Sequence, residues 1–386
     1  MSEPVRMIPL SEPEISGNEW KYIKECLDAG WVSSAGTYVD KFEKTVAAYV
    51  GTKYAVATVN GTSALHVSLI ACSIGPDDEV IVPTLTFIAP VNAVRYCGAH
   101  PVFMDSNPET LCIDVQKITD FLKDRCEQRK GGFTYNKKTG RKIKAIIPVH
   151  VFGHPADMDG LLEVSGKGNI DIIEDATESL GSECKGRKTG SFGKTGCLSF
   201  NGNKIITTGG GGMVVTDDES TAGRVRHLTT QAKKDPFEYD HDEIGYNYRL
   251  TNIQAAMGVA QMERLESFIR IKRENAGIYR KLLSSAECIE FVWERDWAKS
   301  NFWFYTIKVP KGHKKGLTNF LLSNNIQVRP VWRLIHTLPM YENFQQYSIT
   351  SAPDVYERCI NLPCSVNLRE ETIEYVTKTV IRYFHK

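Results

Sequence analysis

The chain has 386 residues, of which 42% are hydrophobic and 24% charged; this is the composition of an ordinary globular protein, with length for two or three domains at roughly 150 residues each. Its 47 basic and 46 acidic side chains leave a net charge of +1, which removes the electrostatic basis for binding nucleic acid or a membrane surface. Ten unclustered cysteines and an acidic opening, MSEPVRMIPLSEPE, point to a reducing, cytoplasmic compartment and no export signal.

In chain order, the first strong apolar run is Tyr54–Val59. The uncharged stretch from Tyr54 to Pro76 is long enough to span a bilayer, but Asn60, Gly61, Thr62, Ser63 and His66 interrupt it, so a buried strand, a turn and a buried helix are expected. Short apolar runs follow at Glu79–Pro83, Pro101–Met104, Lys144–Val149, Asn169–Ile173, Gly196–Phe200 and Met213–Thr216. Such near-continuous hydrophobicity belongs to strands buried on both faces. Helix-like stretches, among them Ser63–Ser73, Ala89–Cys97 and Asp114–Arg125, alternate with the runs and predict an α/β domain with a mostly parallel sheet. The basic, turn-rich segment Lys123–Lys144 reads as an exposed hairpin or loop. From Thr251 onward, Ile253, Met257, Ala260, Leu265, Phe268, Ile271 and Ile278 recur at helical spacing without proline, which predicts one long helix. The region beyond has strands and helices of its own, so the chain divides into a large α/β domain over 1–255 and a smaller α+β domain over 256–386.

Three places can carry chemistry. Asn60-Gly61-Thr62-Ser63 follows a buried strand and opens a helix, where free N–H groups and the helix dipole suit a phosphate; the same residues also serve as plain helix caps. Ile172-Ile173-Glu174-Asp175 is an apolar strand ending in carboxylates, at the end of a parallel strand where ligands bind; Asp175 also suits a helix cap. Lys204 stands between a strand and the glycine tract Gly209–Gly212. Three lookalikes fail: Gly193-Lys194-Thr195 has Lys188 where a phosphate-binding loop needs glycine, His150 and His154 enclose no glutamate and precede Pro155, and Gly209–Gly212 lacks the dinucleotide register.

Taken together, GWVSSAGTYVDKFE (30–43), NGTSALHVSL (60–69), DEVIVPTLTF (78–87), GAHPVFMD (98–105), VHVFGHPADMDG (149–160), EDATESLGS (174–182), residues 199–213 and GYNYRLTNIQ (245–254) resemble the DegT/DnrJ/EryC1/StrS family of pyridoxal-phosphate-dependent nucleotide-sugar aminotransferases. The resemblance implies aminotransferase fold type I, a mixed, mostly parallel sheet with a smaller C-terminal domain. It implies that Lys204 bonds covalently to the cofactor and shuttles a proton, and that Asp175 pairs with the pyridine nitrogen. Thr62, Ser63 and Ser199 would take the phosphate and Phe87 would stack on the ring. Glu178 would lie beside the phenolic oxygen, where many relatives carry glutamine or histidine; Gly210 replaces an acid common in relatives. Asn247 would reach the neighbouring subunit's phosphate, making a homodimer with shared sites. L-glutamate is the implied donor. The resembling phrases favour C4 of UDP-2-acetamido-4-keto-2,6-dideoxyglucose, as in legionaminic acid or bacillosamine synthesis, over the alternatives, GDP-4-keto-6-deoxymannose (perosamine type) and dTDP-keto sugars. A non-catalytic, ligand-sensing member of the fold and a P-loop hydrolase are the competing readings from other classes.

Overall fold

The computed structural model describes residues 7–129, 131–235 and 237–385. The first six residues, part of the acidic opening, and Lys130 of the basic segment lie outside them. Helices α1 (Glu19–Asp28) and α2 (Thr37–Val50) precede the first strand. The large sheet then takes β1 (Tyr54–Thr58), β2 (Asp78–Pro83), β3 (His100–Met104), β4 (Cys126–Gln128), β5 (Thr134–Asn136), β6 (Lys142–Ile146) and β7 (Asp171–Asp175). After the short β8 (Glu183–Cys184) and β9 (Arg187–Lys188), the chain returns to it with β10 (Thr195–Ser199) and β11 (Gly212–Thr216). The intervening helices are α3 (Gly61–Ala71), α4 (Ala89–Tyr96), α5 (Val115–Arg125), α6 (Met158–Gly168) and α7 (Glu219–Thr229).

The strand order is β1-β11-β10-β7-β6-β2-β3. Neighbours from β10 to β3 run parallel, while β11 is antiparallel to both β1 and β10. The sheet is therefore mixed and mostly parallel, and β1 points the same way as β7 and β10. Alternate residues feed opposite faces: Val56, Cys197 and Val214 pack with Leu65 and Val67 of α3, while Ala55, Leu198 and Met213 pack with Phe42 and Val46 of α2. Both faces are covered, as the apolar runs predict. The carboxyl ends of β1, β7 and β10 consequently meet at one edge, where the segments after Thr58, Asp175 and Ser199 converge. The basic segment forms the β4–β5 hairpin, whose β5 pairs with β6.

The single long helix expected from Thr251 is two helices, α8 (Asn252–Met262) and α9 (Leu265–Leu283). The break at Glu263–Arg264 has a packing cause. Helix α8 packs on α1 and α2, whereas α9 packs on the C-terminal helix Glu370–Phe384, and one straight axis cannot follow both. At the break Arg264 N–H donates to Gln261 O, a tight three-residue turn, and Glu263 accepts hydrogen bonds from Asn18 Nδ2 and Tyr22 Oη at 2.7 Å each.

Beyond α9 come β12 (Glu290–Phe291), β13 (Ala298–Lys299), β14 (Tyr305–Lys308), α10 (Lys314–Ser323), β15 (Arg329–Pro330), β16 (Gln346–Tyr347), α11 (Ala352–Arg358), β17 (Cys359–Leu362) and α12 (Glu370–Phe384). A four-stranded antiparallel sheet runs β12-β14-β17-β15. Strand β16 instead adds to the large sheet, parallel to β3. The ten cysteines are all free, and among the described residues no helix is long and apolar enough to cross a membrane.

Candidate active site

A cavity of about 480 Å³ opens where the carboxyl edge of the large sheet faces the four-stranded sheet. Asn60, Gly61, Thr62, Phe87, Thr177, Glu178, Ser199, Asn201 and Lys204 line one side; Trp303, Phe304, Arg329, Trp332 and Asn361 line the other.

The phosphate-like corner is built by the start of α3. Asn60, in extended conformation, caps the helix by accepting the N–H of Ser63 at 2.8 Å. The N–H groups of Gly61 and Thr62 make no backbone hydrogen bond, so they and the helix dipole are available to an anion. Gly61 is required there by space: a Cβ would sit 2.9 Å from Ser199 Cβ and 3.1 Å from Thr177 Cγ2. Glycine lets the helix end close against the Ser199 hydroxyl.

The acidic corner comes from the end of β7. Glu174 accepts N–H bonds from Gly190, Phe192 and Gly193 at 2.6–2.8 Å and meets His150 Nε2 at 3.1 Å, which anchors the strand end. Asp175, buried next to it, accepts Thr177 N–H at 3.1 Å. Burial pushes the Asp175 carboxyl up, against the opposing pull of Thr177 and Lys204. Glu178 is buried too; burial pushes its carboxyl up to about 7, with Lys204 opposing. Its Oε2 accepts Phe152 N–H at 2.8 Å, and its Oε1 lies 3.8 Å from Lys204 Nζ. Burial lowers the Lys204 ammonium, while Glu178 and Asp175 hold it up. Among the described residues no hydrogen bond engages Lys204 Nζ; the Trp303 indole covers it, with the ring centroid at 3.8 Å.

Of the residues singled out in the sequence, Thr62, Phe87, Glu178, Ser199 and Lys204 line this one cavity, and Asp175 is buried outside its lining with its charge felt by Lys204. Ser63 is buried outside the lining with its N–H already capped. Asn247 is exposed and lies outside the cavity of its own chain. The phosphate-loop lookalike is structural: Gly193 N–H serves Glu174, and Lys194 pairs with Asp171 at 2.9 Å. His150 is tied to Glu174, and His154 is buried with Nε2 unpaired. Sequence reading missed Trp303, Arg329, Trp332 and Asn361, which lie outside the eight resembling segments; the aromatic run Phe302–Tyr305 was their one visible trace.

A buried amine without a hydrogen-bond partner, a helix end closed too tightly for a Cβ, and a buried carboxylate at a strand end fit pyridoxal phosphate, which needs an amine for its aldehyde, donors for its phosphate and an acid for its ring nitrogen. The DegT/DnrJ/EryC1/StrS aminotransferase family matches residues 13–381. The chain is 41% identical over 382 residues to a GDP-perosamine synthase from Escherichia coli O157:H7, covering 98% of this chain and 99% of that one. It is 37% identical over 383 residues to a GDP-perosamine synthase from Vibrio cholerae, covering 98% and 100%. Among solved structures, an aminotransferase of the same family from Brucella abortus superposes with a TM-score of 0.86 at 27% identity, over 95% of each chain. The relatives' names favour the GDP-linked alternative over the UDP-linked reading of the segments. The chain belongs to the DegT/DnrJ/EryC1/StrS family and is a sugar aminotransferase that depends on pyridoxal phosphate.

Proposed function

We propose that this enzyme moves the amino group of L-glutamate to C4 of GDP-4-keto-6-deoxymannose, a perosamine-forming step in bacterial surface-glycan synthesis. The observation that carries this reading is the full-length identity to relatives named GDP-perosamine synthase. The legionaminic acid and bacillosamine assignment has no comparable support.

When bound, pyridoxal phosphate supplies a carbonyl carbon for amino exchange and a ring that withdraws electrons from the reacting carbon. In this reading Lys204 would bond to that carbon, and its amine, when free, would carry a proton to and from the reacting carbon. The Asp175 carboxylate keeps the ring nitrogen protonated. Phe87 would stack on the ring and Glu178 would lie beside the phenolic oxygen, both lining the cavity. The start of α3, with Thr62 and Ser63, and Ser199 hold the phosphate, and Asn247 reaches it from the second subunit of a homodimer. Among the described residues no ion pair engages Arg329, which lines the cavity; it offers an unneutralised cation for substrates that both carry anions. The aromatic faces of Trp332 and Phe87, with ring centroids 6.4 Å apart, flank the opening.

The test is a specificity panel: purified enzyme, L-glutamate, and GDP-, UDP- and dTDP-linked 4-keto-6-deoxy sugars, followed by 2-oxoglutarate release. The GDP-mannose derivative is expected to give the highest kcat/KM. A higher value for the UDP sugar overturns the GDP assignment. Borohydride reduction of the loaded enzyme followed by peptide mapping is expected to fix the cofactor on Lys204.

A further inference from the structure

The contact between Trp303 and Lys204 is part of a closed circuit. The Trp303 ring centroid is 3.8 Å from Lys204 Nζ, and the indole Nε1–H donates to the carbonyl oxygen of Asn203 at 2.6 Å. The ring is thus bonded to the residue directly before the lysine it covers. Trp303 N–H donates to Asn301 Oδ1 at 2.9 Å, and Asn301 Nδ2 donates to the carbonyl oxygens of Glu178 and Leu180 at 3.0 Å each. Asn301 therefore ties together the backbones of Trp303 and Glu178, the two residues whose side chains approach the Lys204 amine.

Its seat is tightly built. Gly153, at φ +92°, lies so close beneath Asn301 that a Cβ would fall 2.0 Å from its Oδ1 and 2.9 Å from Trp303 N. The neighbouring Phe152 takes the left-handed φ of +56°, rare for an aromatic residue, and in that pose gives its N–H to Glu178. Phe304, with ring centroids 4.1 Å apart, fixes the outer face of Trp303. The indole is 4% exposed.

We propose that Trp303 is a positioning residue that receives the Lys204 ammonium whenever that amine is not bonded to another group. The proposal rests on the reading of Lys204 as the cofactor-bonding amine. Amino exchange would leave the lysine unbonded for part of each cycle, and an amine on four rotatable bonds would then have to stay within reach of the reacting carbon. An aromatic ring with its centroid at 3.8 Å and a carboxylate oxygen at 3.8 Å hold a cation by electrostatics, without a hydrogen bond that must break before the amine returns. The ring face favours only the charged form of the amine. It thereby works against the burial that lowers the Lys204 ammonium.

The charged groups around Lys204 are few. Glu178 and Asp175 act from the large-sheet side, and Arg329 stands on the opposite wall of the cavity. Behind the lysine a small crevice takes in Glu12, Glu14 and Lys272, the last bonded to Cys364 O.

The test uses cofactor-free full-length protein. Modification of Lys204 by trinitrobenzenesulfonate is followed against pH by peptide mass mapping in wild type, Trp303→Phe and Trp303→Leu. Because the reagent takes the neutral amine, the midpoint is expected to fall by about 0.5 to 1.5 pH units in Trp303→Leu, with Trp303→Phe between it and wild type. A purely structural role changes the plateau rate and leaves the midpoint where it was, and a purely shielding role raises the midpoint by relieving burial, so an unshifted or raised midpoint in both variants overturns the proposal. If Trp303→Leu does not fold, Trp303→Phe decides alone: a downward shift supports the role, and no shift overturns it. Failure of the parent reading shows separately, as borohydride fixing the cofactor on a lysine other than Lys204.

Discussion

Oε1 of Glu178 lies 3.8 Å from Nζ of Lys204, and among the described residues it is the one carboxylate oxygen within ion-pairing distance of that amine. Both side chains are withdrawn from solvent, with 3% and 12% exposure. The pair is held from opposite directions, Glu178 by the Phe152 N–H and Lys204 by the loop after β10. A carboxylate and an amine placed so influence each other's protonation through their charges, and the consequences can be measured.

The first consequence is a pH dependence of stability in the cofactor-free protein. The folded Glu178 carboxyl, at about 7, lies above its ordinary value of 4.5, so the folded state binds the proton more tightly than the unfolded one. This contribution is complete below about pH 4.5 and is lost as pH rises through 7. Glu178→Gln removes it while keeping an acceptor for Phe152 N–H. The wild-type melting temperature is expected to fall between pH 5 and pH 8 by roughly a few degrees relative to Glu178→Gln, as read by calorimetry at matched ionic strength. Parallel curves would show that Glu178 does not titrate in this window.

Replacing the buried acid at the end of β7 separates binding from chemistry. Asp175→Asn keeps the shape and the hydrogen bond from Thr177 N–H but removes the charge proposed to face the ring nitrogen. Electrostatic groups of this kind are worth about 10² to 10³ in kcat, so kcat is expected to drop by that factor while cofactor affinity falls less. Normal turnover per bound cofactor, with binding lost, would make Asp175 an anchor alone.

At the helix end, Gly61→Ala forces a Cβ to within 2.9 Å of Ser199 Cβ. Relief of such overpacking costs about 1 to 3 kcal/mol, and the displaced groups are those proposed to hold the phosphate. Cofactor affinity is expected to weaken about tenfold or more, measured by dialysis against limiting pyridoxal phosphate. Unchanged retention would move the phosphate away from the start of α3.

The exposed Asn247 lies outside its own chain's cavity, which suits a residue acting in a second subunit. Two inactive variants, Lys204→Ala and Asn247→Asp, are mixed under conditions that exchange subunits. In a mixed dimer one site receives both defects and the other neither, so up to half of the sites of each heterodimer regain activity. If exchange is demonstrated, each variant stays folded and dimeric, and activity stays absent, the shared-site reading of Asn247 is wrong.

Much of this site is local in sequence. Lys204 follows β10, Asp175 ends β7, and Asn60–Ser63 open α3. Each is legible because a run of buried residues announces a strand and the residues at its end are polar. Parallel topology then decides that such ends share one edge, so three distant segments converge without any contact being known in advance. The apolar runs also foretell a sheet covered on both faces. What the sequence left open depends on packing between elements far apart in the chain. The break at Glu263–Arg264 has no proline or glycine to mark it and follows from α8 and α9 lying against different partners. Strand β16 joins the large sheet beside β3 although nearly 250 residues separate them. Trp303 reaches Asn203 across a separation of 100 residues, and Arg329, Trp332 and Asn361 arrive at the cavity with the four-stranded sheet. Periodicity reports which face of an element is buried; which other element buries it, and therefore what covers the Lys204 amine, is settled only when the whole chain is packed.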